Sequence, residues 1–356
     1  MGMGHYERLL IHQLVQDGSP VGWQYGITFD GRTPAEKIPP ETIEPGLRYV
    51  SVLGFSTGRL QHLPWSVARA AVSLKVWQDK PLLYHSLALS YPAPGTRPNV
   101  ITIHDLPPAR FPDEGTLPKW SRQAARSAYA ILTPSTFAKT EMIDLLGVRE
   151  NNVHVVYYGC EHDRFNPDVP PADAATLAEH GITGPFLIYV GGFTRRKNVS
   201  ALLRAWQLLA PHYPDLSLAL VGPSVQLRLL ANEVDAPRVV VVGYLDRMTL
   251  PGVMKAAQAL VFPSIYEGFG LPPLEAMALG VPVVAVRASA IPEVVGDAGL
   301  LAADGTPESL ATAIQQLLRD DQLAQQLRMA GPARAQHFSW QDHARAVLHV
   351  YEQAIG

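Results

Sequence analysis

Short apolar runs alternate along this chain with stretches whose apolar positions recur at helical spacing, and glycine and proline punctuate the joins. Runs of four to eight apolar residues bounded by turn residues are the mark of buried strands. In the first half they predict strands near Gly22–Phe29, Arg48–Leu53, Leu82–His85, Val100–Ile103, Ala130–Thr133 and Val153–Tyr157. The second half predicts strands near Leu187–Val190, Ser217–Val221, Val239–Val242, Ala259–Phe262 and Val283–Val286. Strands separated by helical stretches indicate α/β organisation with parallel sheets. A helix is expected to open at Pro272, since proline suits a first helical position, and to close at Gly280 with Pro282 just beyond. A last helix spans about Trp340–Ile355. Between the halves, Arg164-Phe-Asn-Pro-Asp-Val-Pro-Pro-Ala172 is proline-rich and reads as a linker.

Length and composition bound the chemistry. The 356 residues suit two domains of ordinary size. Hydrophobic residues make up 47% and charged residues 17%, a soluble, globular composition. A net charge of −3 implies no extended nucleic-acid footprint. No run of eighteen apolar residues and no signal-peptide layout occurs, so a cytoplasmic enzyme is expected, with peripheral association with the inner face of a membrane left open. Cys160 is the single cysteine, so no intrachain disulfide can form. The 12 histidines show no H-x-H or H-E-x-x-H spacing, and no D-x-D occurs. No metal site and no cofactor are expected.

Candidate chemistry gathers at strand ends. In Glu267-Gly-Phe-Gly-Leu-Pro-Pro-Leu-Glu275, two carboxylates flank a glycine-rich turn between a strand and a helix. The free N–H groups and positive dipole end of a helix favour a phosphate there, with hydroxyl-accepting carboxylates beside it. Phe186-Leu-Ile-Tyr-Val-Gly-Gly-Phe-Thr-Arg-Arg-Lys-Asn198 is an apolar strand, a glycine turn and then adjacent basic residues. Arg196 and Lys197 can neutralise two phosphates, although basic pairs are ordinarily just solvated. Asn99-Val-Ile-Thr-Ile-His-Asp105 ends a strand in His104, where open α/β sheets place ligand groups. Asp105 either orients His104 or caps the following turn. Ser135 or Thr136 caps the helix after Ala130–Thr133.

In these strings the chain resembles the retaining glycosyltransferases of the GT-B type, family 4. The resemblance implies an α/β fold of two Rossmann-like domains facing each other across a cleft. Expected boundaries are 1–163 for an acceptor domain, 164–337 for a nucleotide-sugar donor domain, and 338–356 for a terminal helix crossing back to the first. It implies that Arg196 and Lys197 hold the donor diphosphate and that His104 touches the donor sugar. Glu267 binds sugar hydroxyls, Glu275 the ribose hydroxyls, and the amides of Phe269, Gly270 and Leu271 fix the ring. Gly4, Gly191, Gly243 and Tyr244 complete the donor-binding set, the last two beside the base. The partners implied are a nucleotide diphosphate sugar and a glycan or lipid-linked acceptor. The Arg-Lys-Asn and Tyr-Glu-Gly-Phe-Gly-Leu-Pro strings resemble mannosyltransferases using GDP-mannose, with UDP-sugars still live.

One departure and one ambiguity accompany the resemblance. Relatives begin with a strand before the first glycine loop, whereas Gly2–Leu10 here reads as the end of that loop and the start of its helix. A misplaced start, a truncation or a rearranged sheet would each account for an absent first strand. If the loss is real, a catalytically impaired nucleotide-sugar-binding or scaffold protein is the alternative. Trp65, Arg69, Lys75 and Trp77 suit a sugar ring or lipid head group, but Trp65–Leu74 reads first as an ordinary amphipathic helix. No G-x-G-x-x-G follows an N-terminal strand, which argues against a dehydrogenase.

Overall fold

The computed structural model of the protein describes residues 9, 10, 13, 14, 26–29, 48–51, 83–86, 89, 98–117 and 119–355. The chain divides into two units, residues 1–157 with 340–356, and residues 158–339. The expected boundaries lay after 163 and after 337. Gly4, the question of a first strand and the Trp65–Leu74 helix all lie outside the described residues.

In the first unit, strands β1 (Gly26–Phe29) and β2 (Arg48–Ser51) pair in parallel. Strands β3 (Tyr84–Ser86), β4 (Asn99–Thr102), β5 (Ala130–Thr133) and β6 (Val153–Val155) form a separate parallel sheet in that order. Strands β4 and β5 are buried along their whole length, which is why their sequences are continuous apolar runs. Ser135 caps the helix Thr136–Glu141, its hydroxyl accepting from the Ala138 N–H at 3.0 Å. The helix Trp340–Ile355 belongs to this unit by its contacts. Tyr129 donates its hydroxyl to the Gln353 carbonyl at 2.6 Å, and His343 donates from Nδ1 to the Tyr157 carbonyl at 2.7 Å.

The second unit holds a six-stranded, all-parallel sheet. Its strands are β7 (Phe186–Val190), β8 (Ser217–Val221), β9 (Val239–Gly243), β10 (Ala259–Phe262), β11 (Val283–Val286) and β12 (Leu300–Ala302). The spatial order is β12-β11-β10-β7-β8-β9. Numbered within the unit this is the doubly wound 3-2-1-4-5-6 order, whose direction reverses between β7 and β10. The pattern of the sequence did not predict β12, whose three residues Leu-Leu-Ala include no β-branched or aromatic side chain. On one sheet face, helices Val199–Leu209 and Pro307–Arg319 seal a core that includes Leu202, Trp206, Leu218, Leu220, Leu310 and Ile314. Trp206 is fully buried, and its indole N–H still finds a partner in the Pro237 carbonyl at 2.6 Å. The proline-rich Arg164–Ala172 run lies within this unit: Phe165 is fully buried and the Ala172 N–H donates to Gly252.

Candidate active site

The point where the strand order reverses leaves a crevice outside the carboxyl ends of β7 and β10, the usual ligand position in such sheets. The residues following those two strands are the ones the sequence singled out. Val190 runs into the Gly191-Gly192 turn, fixed by the Tyr189 hydroxyl donating to the Gly192 carbonyl at 2.6 Å. The Gly191 N–H continues the ladder to the Val221 carbonyl, and Gly222, at φ +155°, donates to the Gly243 carbonyl. A Cβ at Gly222 would overlap the Gly191 carbonyl, so the loops after β7 and β8 approach each other closely because Gly222 has no side chain. Tyr244, just beyond, is 81% exposed.

Arg196 and Lys197 sit on a single 3₁₀ turn, Arg195–Lys197, that opens the helix Val199–Leu209. Lys197 Nζ donates to Glu267 Oε1 at 2.6 Å, and Arg196 Nη1 donates to Glu267 Oε2 at 3.1 Å and to the Tyr266 carbonyl at 3.2 Å. The Ile265 N–H donates to the Arg196 carbonyl at 2.9 Å, lacing the two loops together by backbone as well. Lys197 Nζ also stands 5.7 Å from the centre of the Phe262 ring. Both cations keep about a sixth of their side-chain surface, at 16% each, and Glu267 keeps 9%. Partly desolvated charge pairs of this kind are stronger than surface ones. An ammonium has three donors and a guanidinium five, so each cation retains capacity for a second anion.

The helix after this loop begins one residue earlier than expected, at Leu271, with Gly270 as its N-cap at φ +121°. Glycine alone accepts that conformation readily, so the turn is set at Gly270 and Pro272 falls second in the helix. A Cβ on Gly270 would lie 2.7 Å from Ile291 Cδ1. Pro272 and Pro273 carry no N–H and Leu274 donates to the Gly270 carbonyl at 3.3 Å. The helix start therefore offers an anion far fewer amides than a proline-free helix does. Phe269 is buried, its ring 5.2 Å from Tyr158 and 5.7 Å edge-on from Phe338.

Glu275 lies on the same helix, 4% exposed. Burial, with the Glu161 carboxylate adding to it, pushes its carboxyl up from the usual range to about 8. Glu161 itself is held by Arg164, Nη1 to Oε1 at 2.7 Å, and by Arg247. Burial likewise raises the Cys160 thiol, with the Glu275 and Glu161 carboxylates adding to the effect. A thiol kept neutral is a poor nucleophile.

His104 stands two residues beyond β4 in the first unit, partly buried. Near it in the same unit is a cluster the sequence reading missed. His85 shares hydrogen bonds with the Tyr351 hydroxyl at 2.5 Å and the Thr102 hydroxyl at 2.8 Å. Burial, reinforced by the positive charge that His343 and His104 can carry, holds His85 down at about 3, and burial holds His343 at about 4. The reading also passed over Asn198 and Ser289, both joined to the Lys197–Glu267 pair. Asn198 was visible inside its motif, but Ser289 has no local signal in the sequence. Among the described residues no group of three or more His, Cys, Asp or Glu is arranged to hold a metal ion, and no helix is long and apolar enough to cross a membrane.

Two parallel-sheet α/β units, one of them doubly wound with a basic pair and a carboxylate at its switch point, define the GT-B class of glycosyltransferase. The description "Glycosyltransferase Family 4" matches residues 2–164, and "Glycosyl transferases group 1" matches residues 184–320. The O-antigen chain mannosyltransferase B of Escherichia coli is 31% identical over 297 residues, covering 80% of this chain and 77% of that one. An alpha-maltose-1-phosphate synthase of Mycobacterium tuberculosis is 32% identical over 285 residues, covering 72% and 73%. In fold, the chain is similar to HepE of Anabaena, solved in complex with UDP and glucose, with a TM-score of 0.76 at 20% identity over 99% of this chain and 96% of that one. The chain belongs to glycosyltransferase family 4, the glycosyl transferases group 1, and is a glycosyltransferase.

Proposed function

We propose that this enzyme transfers mannose from GDP-mannose to a glycan or lipid-linked acceptor, with retention of anomeric configuration and without a bound metal ion. The observation that carries the donor reading is the Arg196–Lys197–Glu267 constellation at the strand-order reversal. Mannose as the sugar is supported by the likeness to a mannosyltransferase of E. coli and by the Arg-Lys-Asn and Tyr-Glu-Gly-Phe-Gly-Leu-Pro strings. The acceptor enters the first unit, at the inner face of a membrane when it is lipid-linked.

In this mechanism the bond between sugar and phosphate breaks and its electron pair leaves with the diphosphate. Lys197 and Arg196 carry the growing negative charge, the kind of preorganised stabilisation that is commonly the largest catalytic contribution. Those two side chains take the place of a metal ion. Glu267, already polarised by both cations, accepts from sugar hydroxyls. Glu275, with its carboxyl at about 8, is protonated near neutrality and both donates to and accepts from the ribose diol. His104 touches the donor sugar. The acceptor hydroxyl attacks from the leaving-group side and gives its proton to a phosphate oxygen. Glu267 and Glu275 both belong to the donor, so the opposed-carboxylate scheme of glycoside hydrolysis does not apply.

The test is thermal unfolding with GDP, UDP, ADP and NAD. A ligand at a hundred times its dissociation constant adds about 2.7 kcal/mol of stability. A raised midpoint with GDP alone supports the reading, and UDP alone would replace the base. A cooperative transition moved by no nucleotide would favour a scaffold role instead.

A further inference from the structure

Four non-glycine residues among those described have left-handed backbones: Asn198, Asp235, Arg238 and Ser289, with φ between 51° and 54°. Side chains other than glycine resist this conformation, Asn and Asp least, so each instance needs a cause. Asp235 ends the helix Ser224–Val234, and Arg238 is tied down by carbonyls of Ala210, Tyr213 and Leu216. Asn198 likewise ends the 3₁₀ turn Arg195–Lys197, its N–H donating to the Arg195 carbonyl, whereas Ser289 ends no helix, and these two flank the Lys197–Glu267 ion pair.

We propose that Asn198 and Ser289 are positioning residues of the donor site, clamping from two sides the loops that bring Lys197 and Glu267 together. This rests on the reading of that pair as the donor diphosphate and sugar site. Ser289, in the loop after β11, accepts the Glu267 N–H on its hydroxyl at 2.9 Å and donates the hydroxyl proton to the Ala288 carbonyl at 2.8 Å. The next residue, Ala290, turns its N–H toward the Glu267 carbonyl at 3.4 Å. Both backbone polar groups of Glu267 are thus engaged by one strained turn. The left-handed φ of Ser289 is what lets its hydroxyl and the following N–H face the same residue.

Asn198 does the matching work on the other loop. Its side-chain amide donates to the Pro263 carbonyl at 3.2 Å and to the Gly305 carbonyl at 2.8 Å. One side chain therefore joins the exits of β7, β10 and β12. The contact is close: a Cβ on Gly305 would stand 2.6 Å from Ile265 Cγ2 and 2.9 Å from Asn198 Nδ2. The side-chain hydrogen bonds of Asn198 and Ser289 go to loop backbone, so both act through the loops. The sheet makes this useful, because strands β10, β7 and β11 are fixed by their ladders while the loops that carry charge lie beyond them.

Glycine at either position separates positioning from folding. It accepts the left-handed conformation and relieves the strain, while the hydrogen bonds disappear. Ser289→Gly and Asn198→Gly are compared with the unaltered enzyme and Lys197→Ala. Midpoints of unfolding, calorimetric binding of GDP and UDP, and release of nucleoside diphosphate from GDP-mannose and UDP-glucose are measured. The expected result is that both glycine variants melt within about 3 °C of the unaltered enzyme. They should bind the nucleoside diphosphate, or release it, about tenfold less well, as the loss of a well-placed hydrogen bond implies. Glycine variants that bind and turn over like the unaltered enzyme, while Lys197→Ala does not, overturn the clamp and leave the donor reading standing. Midpoints that fall in step with activity also overturn it, because the two residues would then be structural. Lys197→Ala binding as well as the unaltered enzyme sinks the donor reading itself, and the clamp with it.

Discussion

Lys197 and Glu267 lie 70 residues apart in sequence and meet with Nζ 2.6 Å from Oε1. The pair joins the loops that follow β7 and β10, the two paired strands at which the sheet order reverses. Arg196 joins it from the same 3₁₀ turn, so one carboxylate balances two cations.

Removing Lys197 should therefore do two separable things. Lys197→Ala should weaken nucleoside diphosphate binding by about 1.5–3 kcal/mol, the range for hydrogen bonds to charged groups. A double-mutant cycle with Glu267→Gln should show a coupling of about 1–3 kcal/mol in the unliganded protein, since the pair is largely shielded from solvent. Titration calorimetry and urea unfolding measure the two, and additive stability effects would mean that the ion pair has no net worth.

Glu275 makes the second unit alkali-sensitive. Its folded value of about 8 lies above the ordinary carboxylate value, so between those limits the folded state holds a proton that the unfolded state has lost. Stability then falls as pH rises, by about 2 kcal/mol from pH 6 to pH 8. Glu275→Gln should abolish that slope and melt higher than the parent at pH 8. A parent whose midpoint is flat over this range would show that Glu275 is ionised throughout.

The histidines of the first unit predict the opposite trend. His85 at about 3 and His343 at about 4 stay neutral in the fold, whereas both charge near 6.5 when unfolded. Their contribution is present above about pH 6.5 and is lost as pH falls toward their folded values. Together they should cost about 3 kcal/mol between pH 6.5 and pH 5. Protonating His85 also disturbs its bonds to Thr102 and Tyr351, so the helix Trp340–Ile355 should loosen first, as hydrogen exchange would report. In His85→Gln/His343→Gln the acid limb should flatten.

Gly270 is irreplaceable for a steric reason. Gly270→Ala meets both an unfavourable φ of +121° and Ile291 at 2.7 Å, and should cost about 1–3 kcal/mol together with nucleotide affinity. Gly192→Ala is the control, since a Cβ there meets nothing within 4 Å. Chemical unfolding of both variants makes the comparison, and equal losses would remove the argument from Gly270.

Strands were legible wherever an apolar run was long enough to carry a period. Ala130–Thr133, Ser217–Val221 and Ala259–Phe262 all stand as read, and the terminal helix does too. Leu300–Ala302 was not legible because Leu-Leu-Ala, with no β-branched or aromatic residue, has little strand preference of its own. The helix start moved from Pro272 to Leu271 because the N-cap glycine, through its backbone freedom, sets the turn before the proline can.

By itself the sequence determined the α/β class and the family and singled out the basic pair and the carboxylate that the fold brings together, because those depend on local periodicity and on contiguous strings such as Arg196-Lys197-Asn198 and Glu267-Gly-Phe-Gly. The tertiary structure alone decided that Glu267 is shared between two cations, that Glu275 is buried enough to hold its proton, and that Ser289 grips the Glu267 backbone. Strand order, left-handed φ angles and burial arise from contacts between segments tens of residues apart. No local pattern of hydrophobic and polar positions encodes them.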